Sequence, residues 1–382
     1  MTDAKHPKTF RDEKNEHIYR DPANKDKLKP DRTPPAVHGY FRIPAVWVGN
    51  APDQEVQCYE DRSYSEVVFE KELSCGIFAY ALRDGTFLFD FSKSTIAPMT
   101  VIPGFSYPDA PKPWGIIPEN AEKYWLAEER AILRSRLLNV HQLLLGNAER
   151  EIDRVSATKG YPVSPWNMIE QMGRHPVARN RELSDRTRDL SGRVLNGHYT
   201  HERPEMFNRR TLSLACVEQS FELLDEVASR DDETLITVLE EAYKIGWHNL
   251  EGRFGECIVS GWTACEQILH RKWVRLLQEK GITGSRKKKL FGVNYTISHV
   301  IEFLNMSGEL DDELYNNLEV ARKARNKWAH EARHPKRDAV FKLVAALEKV
   351  LQQEFGISIT LIDSYYSGTS SFPYWTFEKY HG

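Results

Sequence analysis

The last third of the chain carries the strongest hydrophobic pattern, with apolar residues recurring every three or four positions as on one face of an α-helix. The pattern predicts five successive helices: Asp232 or Glu233 towards Gly246, Phe254 to Gln278, Thr296 to Asn305, Glu309 to about His334, and Lys336 to Glu354. The predicted core positions of the second are Trp262, Cys265, Ile268, Leu269, Trp273 and Leu276. Because the loops are short, an up-down helical bundle over residues 231–355 is expected.

Residues 36–112 have a different pattern, in which short runs of β-branched and aromatic residues are typical of strands. The runs are Val46–Val48, Glu66–Phe69, Gly76–Tyr80 and Thr86–Phe91. Arg83-Asp84-Gly85, between the last two runs, predicts a hairpin turn. Strands this close together indicate a small antiparallel sheet or sandwich. No catalytic set of residues stands out in this β-rich module, and we expect it to bind an unknown trigger or partner.

The remaining segments complete the predicted division of the chain. Residues 1–35 are rich in charge and proline, which predicts a disordered or loosely attached arm. Residues 113–230 form a helical linker region, with helices from Ala121 to about Ser156 and from Glu205 to Ser229 and a poorly patterned stretch at 157–204. Residues 356–382 are an aromatic tail expected to pack back on the body. The predicted fold class is α+β and mostly α.

Composition and charge are those of a soluble globular protein of two or three domains. Of the 382 residues, 41% are hydrophobic and 28% are charged, and the formal net charge is −3. That charge argues against a general nucleic-acid coat protein, so contacts with RNA should come from a local patch. The five cysteines form no CxxC pair, which fits free thiols in a reducing cytoplasm. We expect no membrane span and no secretory signal, because no apolar segment suits either.

A cluster of basic residues marks the end of the fourth predicted helix. Seven lysines and arginines lie between positions 322 and 337, against the single acidic residue Glu331. The apolar stripe of this helix follows a four-three-four-three spacing through Leu314, Leu318, Ala321, Arg325 and Trp328. Burying a guanidinium in such a stripe costs free energy unless the group is paired, faces a cleft or belongs to a functional site. An arginine that extends to solvent or bridges to a glutamate is the alternative interpretation.

The segment Arg325-Asn326-Lys327-Trp328-Ala329-His330 resembles the RNxxxH signature of the HEPN superfamily, and the helical context from about residue 231 to 354 resembles that family too. The resemblance implies a ribonuclease, as in many toxins and antiviral effectors of the family, with Arg325, Asn326 and His330 as catalytic residues. It also implies that two bundles pair as a homodimer whose two motifs share one cleft. One toxin branch has a tyrosine two residues after the histidine, where this chain has Ala332, so that branch is disfavoured.

These residue types suit cleavage of RNA without a metal, because the 2′-hydroxyl of RNA can attack the adjacent phosphate. His330 can carry a proton near neutral pH. Arg325 is a planar cation that does not deprotonate and can stabilise charge on the phosphorane. Asn326 can hold a phosphate oxygen or orient His330. No cluster of carboxylates and histidines has metal-ligand spacing, so we expect a metal-independent reaction with no cofactor.

The spacing of Arg325 and His330 raises a geometric question. Residues five apart on an ideal helix lie about 140° apart around its axis. If Arg325 faces the core side of the helix, His330 faces away from it. Either the helix distorts near Pro335, or the two residues do not complete a site within one subunit.

Other basic residues are candidates for binding the substrate. Arg322 precedes the signature and Lys327 lies within it. Arg286, Lys287 and Lys288 belong to a flexible basic loop that can follow an RNA backbone or simply be solvated. Glu266 lies on a helix that should face the core, where a carboxylate needs a cationic partner such as Arg325.

The sequence therefore predicts a metal-independent endoribonuclease that acts as a cytoplasmic homodimer and, by resemblance, serves as a toxin or phage-defence effector. Two other interpretations stay open. The bundle can be a non-catalytic RNA-binding or dimerisation scaffold, or it can sense nucleotides. The complete Arg325, Asn326 and His330 set favours the enzyme, since a scaffold does not need all three polar groups.

Overall fold

Helices dominate the fold, and a small antiparallel sheet accompanies them near the N-terminus, so the prediction of a mostly helical α+β protein is confirmed. The computed structural model describes residues 37–42, 46–51, 67–97, 121–154, 162–165, 168–172, 175–178, 210–290 and 296–361. The predicted arm at 1–35, the linker around 108–118 and the tail beyond 361 lie outside these residues. The chain divides into two compact units, residues 1–240 and 241–382.

The N-terminal unit is built on a sheet of six antiparallel strands in the order β3-β4-β5-β1-β6-β7, with β2 and β8 forming a separate parallel pair. The strands are β1 Val37–Phe41, β2 Trp47–Val48, β3 Val67–Glu72, β4 Phe78–Leu82, β5 Thr86–Asp90, β6 Ile169–Met172, β7 His175–Ala178 and β8 Thr211–Leu212. The predicted strands at 46–48, 66–69, 76–80 and 86–91 are therefore confirmed, with shifts of up to three residues at their ends.

The predicted hairpin joins β4 to β5. Gly85 has a φ of 85°, a left-handed conformation that glycine adopts without the steric cost of a Cβ. Its N–H donates to the Leu82 carbonyl at 3.1 Å, and the Thr86 N–H donates to the Asp84 carboxylate at 3.0 Å. A Cβ at Gly85 would lie 2.7 Å from the Val46 carbonyl oxygen, so this turn also needs glycine for space.

Two helices, α1 (Ala121–Glu151) and α2 (Leu214–Ser229), belong to the same unit as the sheet. They pack on each other, α1 packs on β1, and α2 packs on β3. The division into a β-rich module at 36–112 and a helical linker at 113–230 is therefore wrong in this respect. The physical reason is that α1 buries many polar side chains, which its hydrophobic pattern does not reveal: Arg134, Asn139, His141, Gln142, Asn147 and Glu149.

Two of these buried polar side chains, Glu149 and Asn139, have partners inside the unit. Glu149 forms an ion pair with Arg42 at 2.9 Å, with both side chains 0% exposed. The Asn139 amide donates to the Val163 carbonyl at 2.8 Å and its oxygen accepts from the Val163 N–H at 2.6 Å. Such pairing is what makes burial of charge and amide groups tolerable.

The strands β6 and β7 lie in the stretch at 157–204 that the sequence leaves without a pattern. Both are only four residues long, and β7 carries Pro176, which removes a donor from the ladder. Since β7 is the outermost strand of the sheet, that donor is not needed there. The helix predicted from Glu205 also begins later, because Ser213 caps α2 by accepting from the Cys216 N–H at 3.2 Å.

His141 lies at the centre of the N-terminal core. Its Nδ1 is 2.8 Å from the Tyr40 hydroxyl and its Nε2 is 3.1 Å from Ser220 Oγ, which itself donates to the Val217 carbonyl. Ser220 therefore accepts from His141 Nε2–H, and when the imidazole is neutral its Nδ1 accepts from the Tyr40 hydroxyl. Burial first, and the nearby Arg42 second, hold the pKa of His141 well below its usual value of 6.5.

We expect this histidine to make the N-terminal unit less stable in acid. The unfolded chain takes up a proton below about pH 6.5 and the folded chain does not, so stability is complete above that pH and falls by up to about 1.4 kcal/mol per pH unit below it. Urea unfolding of the wild type and of His141→Leu between pH 7.5 and 5 measures the difference in slope. The exposed His270→Ala is the control, and an equal slope in wild type and His141→Leu would contradict the prediction.

The C-terminal unit consists of helices, and the first of them, α3 (Glu233–Leu250), spans the division at Glu240. The others are α4 Phe254–Glu279, α5 Gly284–Leu290, α6 Ile297–Met306, α7 Asp312–Glu331 and α8 Arg337–Phe355. The five predicted helices are confirmed to within a few residues at their ends. The predicted flexible basic loop is wrong, since Arg286–Lys289 lie in α5.

The core of the unit lies between α4, α7 and α8, which all pack on one another. The six predicted core positions of α4 are buried. Gly261 brings α4 close to α8, because a Cβ there would lie 2.5 Å from the Leu343 side chain. After α8, Gly356 adopts a φ of 68° and the described start of the tail packs back through Ile359 and Leu361. No helix among the described residues is long and apolar enough to span a bilayer.

Candidate functional site

The signature residues lie in the last two turns of α7. Arg325 and Asn326 are half-buried, and Lys327 and His330 are exposed. The Arg325 guanidinium donates from Nη1 to Asn326 Oδ1 at 3.2 Å, and no carboxylate pairs with it within the described residues. The amide oxygen of Asn326 therefore accepts from the guanidinium, and no hydrogen bond joins Asn326 to His330 among the described residues.

The helix stays regular across the signature. It is α-helical from Asp312 through Glu331 and ends at Ala332, which has a φ of 50° and donates its N–H to the Trp328 carbonyl at 3.1 Å. A distortion of the helix near Pro335 therefore does not bring Arg325 and His330 to the same side of α7. At 100° per residue their side chains leave the helix about 140° apart, so a single α7 does not bring them together.

Trp328 fixes the end of α7 to the start of α4. A Cβ at Gly255 would lie 2.4 Å from Cε2 of the Trp328 ring, so the indole occupies the space that this glycine leaves. The ring also contacts His334, with centroids 4.7 Å apart. The sequence pattern singles out Trp328 but not Gly255, whose only local signal is a glycine in the first turn of a helix.

We expect Gly255→Ala to destabilise the C-terminal unit by about 1–3 kcal/mol, the usual effect of overpacking a filled core. Urea unfolding measures this free energy. A double-mutant cycle with Trp328→Leu separates the causes, because the smaller side chain should reduce the effect of Gly255→Ala. An unchanged effect in the Trp328→Leu background would show that the indole is not what the added methyl meets.

The basic residues near the end of α7 differ in whether a carboxylate pairs with them. Glu319 accepts from Arg322 at 2.7 and 2.9 Å and lies 3.6 Å from Lys323. The hydrogen bond from Arg322 holds the pKa of Glu319 below its usual value, and the same bond raises the pKa of Arg322. The fork of Arg322 is thus occupied by Glu319 within the subunit, whereas its substrate-binding role stays a prediction. Lys327 keeps an exposed ammonium group beside the signature.

Glu266 does not support Arg325. It is half-buried on α4, and no ion pair joins it to Arg325 in the part of the chain that the structure describes. The prediction is wrong because the apolar pattern assigns both residues to core-facing stripes but does not say which residues of the two helices meet.

The basic segment Arg286–Lys289 also lies away from the signature. The helix α5 follows the C-terminal end of α4, where Trp273 Nε1 donates to the Leu290 carbonyl at 3.4 Å. Gly255, which contacts Trp328, is at the other end of α4. The 18 residues between Gly255 and Trp273 correspond to a rise of about 27 Å. Arg286, Lys287 and Lys288 therefore lie towards the opposite end of α4 from the contact between Gly255 and Trp328.

A second histidine near the start of α4 was not identified from the sequence. His248 is half-buried, its carbonyl accepts from the Arg253 N–H at 2.9 Å, and its Nδ1 is buried with no hydrogen-bond partner among the described residues. Burial first, and Arg253 second, hold the pKa of His248 below its usual value. A neutral imidazole therefore lies close in sequence to Gly255, which contacts the signature helix.

The described residues contain no group of three or more histidine, cysteine, aspartate and glutamate side chains placed to hold a metal ion. Comparison with family models, with curated proteins and with solved structures finds no match to this chain.

Proposed function

We propose that the C-terminal unit is a metal-independent endoribonuclease of the HEPN type that acts as a homodimer. The observation that carries the proposal is the half-buried Arg325, held by Asn326 rather than by a carboxylate, on a helix end that exposes His330. A guanidinium neutralised by a carboxylate would be a structural ion pair. One oriented by a neutral amide keeps its charge and its remaining donors for an anion.

In the proposed reaction the 2′-hydroxyl of RNA attacks the adjacent phosphorus. His330 takes the 2′-hydroxyl proton and then gives it to the leaving 5′-oxygen, and Arg325 stabilises the charge on the equatorial oxygens. The bond from the 2′-oxygen to phosphorus forms as the bond to the 5′-oxygen breaks. The products are a 2′,3′-cyclic phosphate and a 5′-hydroxyl, and water takes no part in this step.

A second subunit completes the proposed site. Since α7 is regular, Arg325 and His330 of one chain diverge, and a two-fold axis near the helix ends can bring the histidine of one chain to the arginine of the other. This arrangement agrees with what the HEPN resemblance implies. A role as a toxin or phage-defence effector, with the N-terminal unit binding a trigger, is part of the same proposal.

The non-catalytic scaffold remains the competing proposal, and one experiment separates the two. End-labelled RNA is incubated with the full-length protein in EDTA, and the ends of the products are analysed. Cleavage that persists in EDTA and leaves a cyclic phosphate supports the ribonuclease. A strict requirement for a divalent metal, or products with a 5′-phosphate, would contradict the proposed mechanism, and no cleavage of any RNA would favour the scaffold.

A further inference from the structure

The helix α5 has four basic residues and no acidic residue among its seven positions. Five lysines and arginines and no acidic residue lie from Lys280 to Ile301, in a chain whose net charge is −3. Arg286, Lys288 and Lys289 are exposed, and no carboxylate of the described chain pairs with them. This contrasts with Arg322, whose charge Glu319 neutralises, so α5 presents its cations to an external anion.

An exposed aromatic ring accompanies these cations. Trp273, which donates to the Leu290 carbonyl at the end of α5, is stacked on Phe303 of α6 with ring centroids 5.8 Å apart and an interplanar angle of 23°. Phe303 is 38% exposed, and Met306, three residues later on α6, is 79% exposed. Trp273 thus contacts both the basic helix and the helix that presents Phe303.

We propose that α5 and Phe303 form a docking surface for an unpaired segment of RNA, remote from the cleavage residues. Its phosphates would bind Arg286, Lys288 and Lys289, and a base would stack on Phe303. The combination of a cationic surface and an exposed ring is what proteins use to bind single strands. A duplex covers the faces of its bases, so only an unpaired base can stack on Phe303. The proposal rests on the proposed function for naming RNA as the polyanion.

The distance between the two surfaces has a consequence for the substrate. Because α5 lies about 27 Å along α4 from the contact of Gly255 with Trp328, one RNA must extend over several nucleotides to reach both surfaces of one subunit. Removing the charge of α5 should therefore raise KM for long RNA and leave kcat unchanged. Short RNA that reaches only the signature residues should show no change in either.

The direct test uses binding to the full-length His330→Ala protein, so that cleavage does not interfere. A labelled unstructured RNA and the same RNA annealed to its complement are titrated at several salt concentrations. Neutralising Arg286, Lys288 and Lys289 together by glutamine should lower the slope of log K against log salt by about 2 for the single strand. Phe303→Ala should weaken binding of the single strand by about tenfold and leave the duplex unchanged.

Matched variants make the result specific. Lys93→Gln removes an exposed charge in the N-terminal unit, and Val259→Ala removes an exposed apolar side chain of α4, and neither should change binding. Phe303→Tyr keeps the ring and should retain the preference for the single strand. Circular dichroism checks that Phe303→Ala is folded. If Phe303→Ala does not fold, a normal preference for the single strand in folded Phe303→Leu would overturn the proposal.

The outcomes distinguish this proposal from the proposed function. Normal cleavage by the wild type together with normal binding by the α5 and Phe303 variants would overturn the docking surface alone. Equal affinity of the wild type for single strand and duplex would reduce α5 to a general polyanion surface and would also overturn it. Binding that depends on α5 and Phe303 in a protein that cleaves no RNA would support the docking surface and contradict the ribonuclease.

Discussion

Replacing His330 by alanine should lower the rate of RNA cleavage by about 10²- to 10⁴-fold, the usual effect of removing a general acid or base. His330 is exposed, so its loss should leave the fold intact. Arg325→Ala should have a comparable effect through lost stabilisation of the phosphorane. Arg325→Lys should rescue little, because an ammonium group cannot replace the fork that Asn326 orients. Asn326→Ala should be milder, since it leaves the guanidinium charged but less restrained.

Steady-state cleavage of end-labelled RNA measures these effects, with circular dichroism as the folding check. His270→Ala removes an exposed histidine of α4 and should retain wild-type activity. The pH dependence adds a second readout, because the histidine limb of the rate profile should disappear in His330→Ala. Full activity in folded His330→Ala protein would remove the mechanism and favour the scaffold.

Mixing two inactive variants should restore activity if each site takes its arginine and its histidine from different subunits. A heterodimer of Arg325→Ala and His330→Ala then has one site with both residues and one site with neither. After full subunit exchange, half of the dimers are mixed and half of their sites are intact, so activity should reach about a quarter of the wild type. The increase in cleavage activity on mixing should be large, because each variant alone should be nearly inactive.

The two variants are coexpressed or mixed under conditions that allow exchange, and the oligomeric state is measured by sedimentation. A mixture of Arg325→Ala with Arg325→Lys is the control, since neither chain has an arginine at position 325. A dimer whose mixture stays inactive would show that Arg325 and His330 act from the same chain. A monomer with full ribonuclease activity would exclude the shared site altogether.

Local sequence determined five of the six helices of the C-terminal unit and three of the six strands of the N-terminal sheet. It also placed Arg325 in a half-buried stripe and His330 on the opposite, exposed side of α7. These features depend on a period of 3.6 or 2 residues and on turn residues such as Gly85, and neighbouring residues alone carry that information. The same helical period separates Arg325 from His330 around the axis, so the sequence alone left two possibilities, a helix distorted near Pro335 or a site completed by a second subunit.

Only the tertiary structure decided which of these residues have partners. The capture of Arg322 by Glu319 and the bond between Arg325 and Asn326 depend on rotamers, which a helical pattern does not specify. The contact of Trp328 with Gly255 joins residues more than seventy positions apart in the sequence. The packing of α1 on the sheet buries polar side chains of this helix. Partners that are distant in sequence, such as Arg42, stabilise their burial. Periodicity shows which side of a helix or strand is apolar. A contact between two elements depends on the shape and charge of both, so it is decided only when the chain folds.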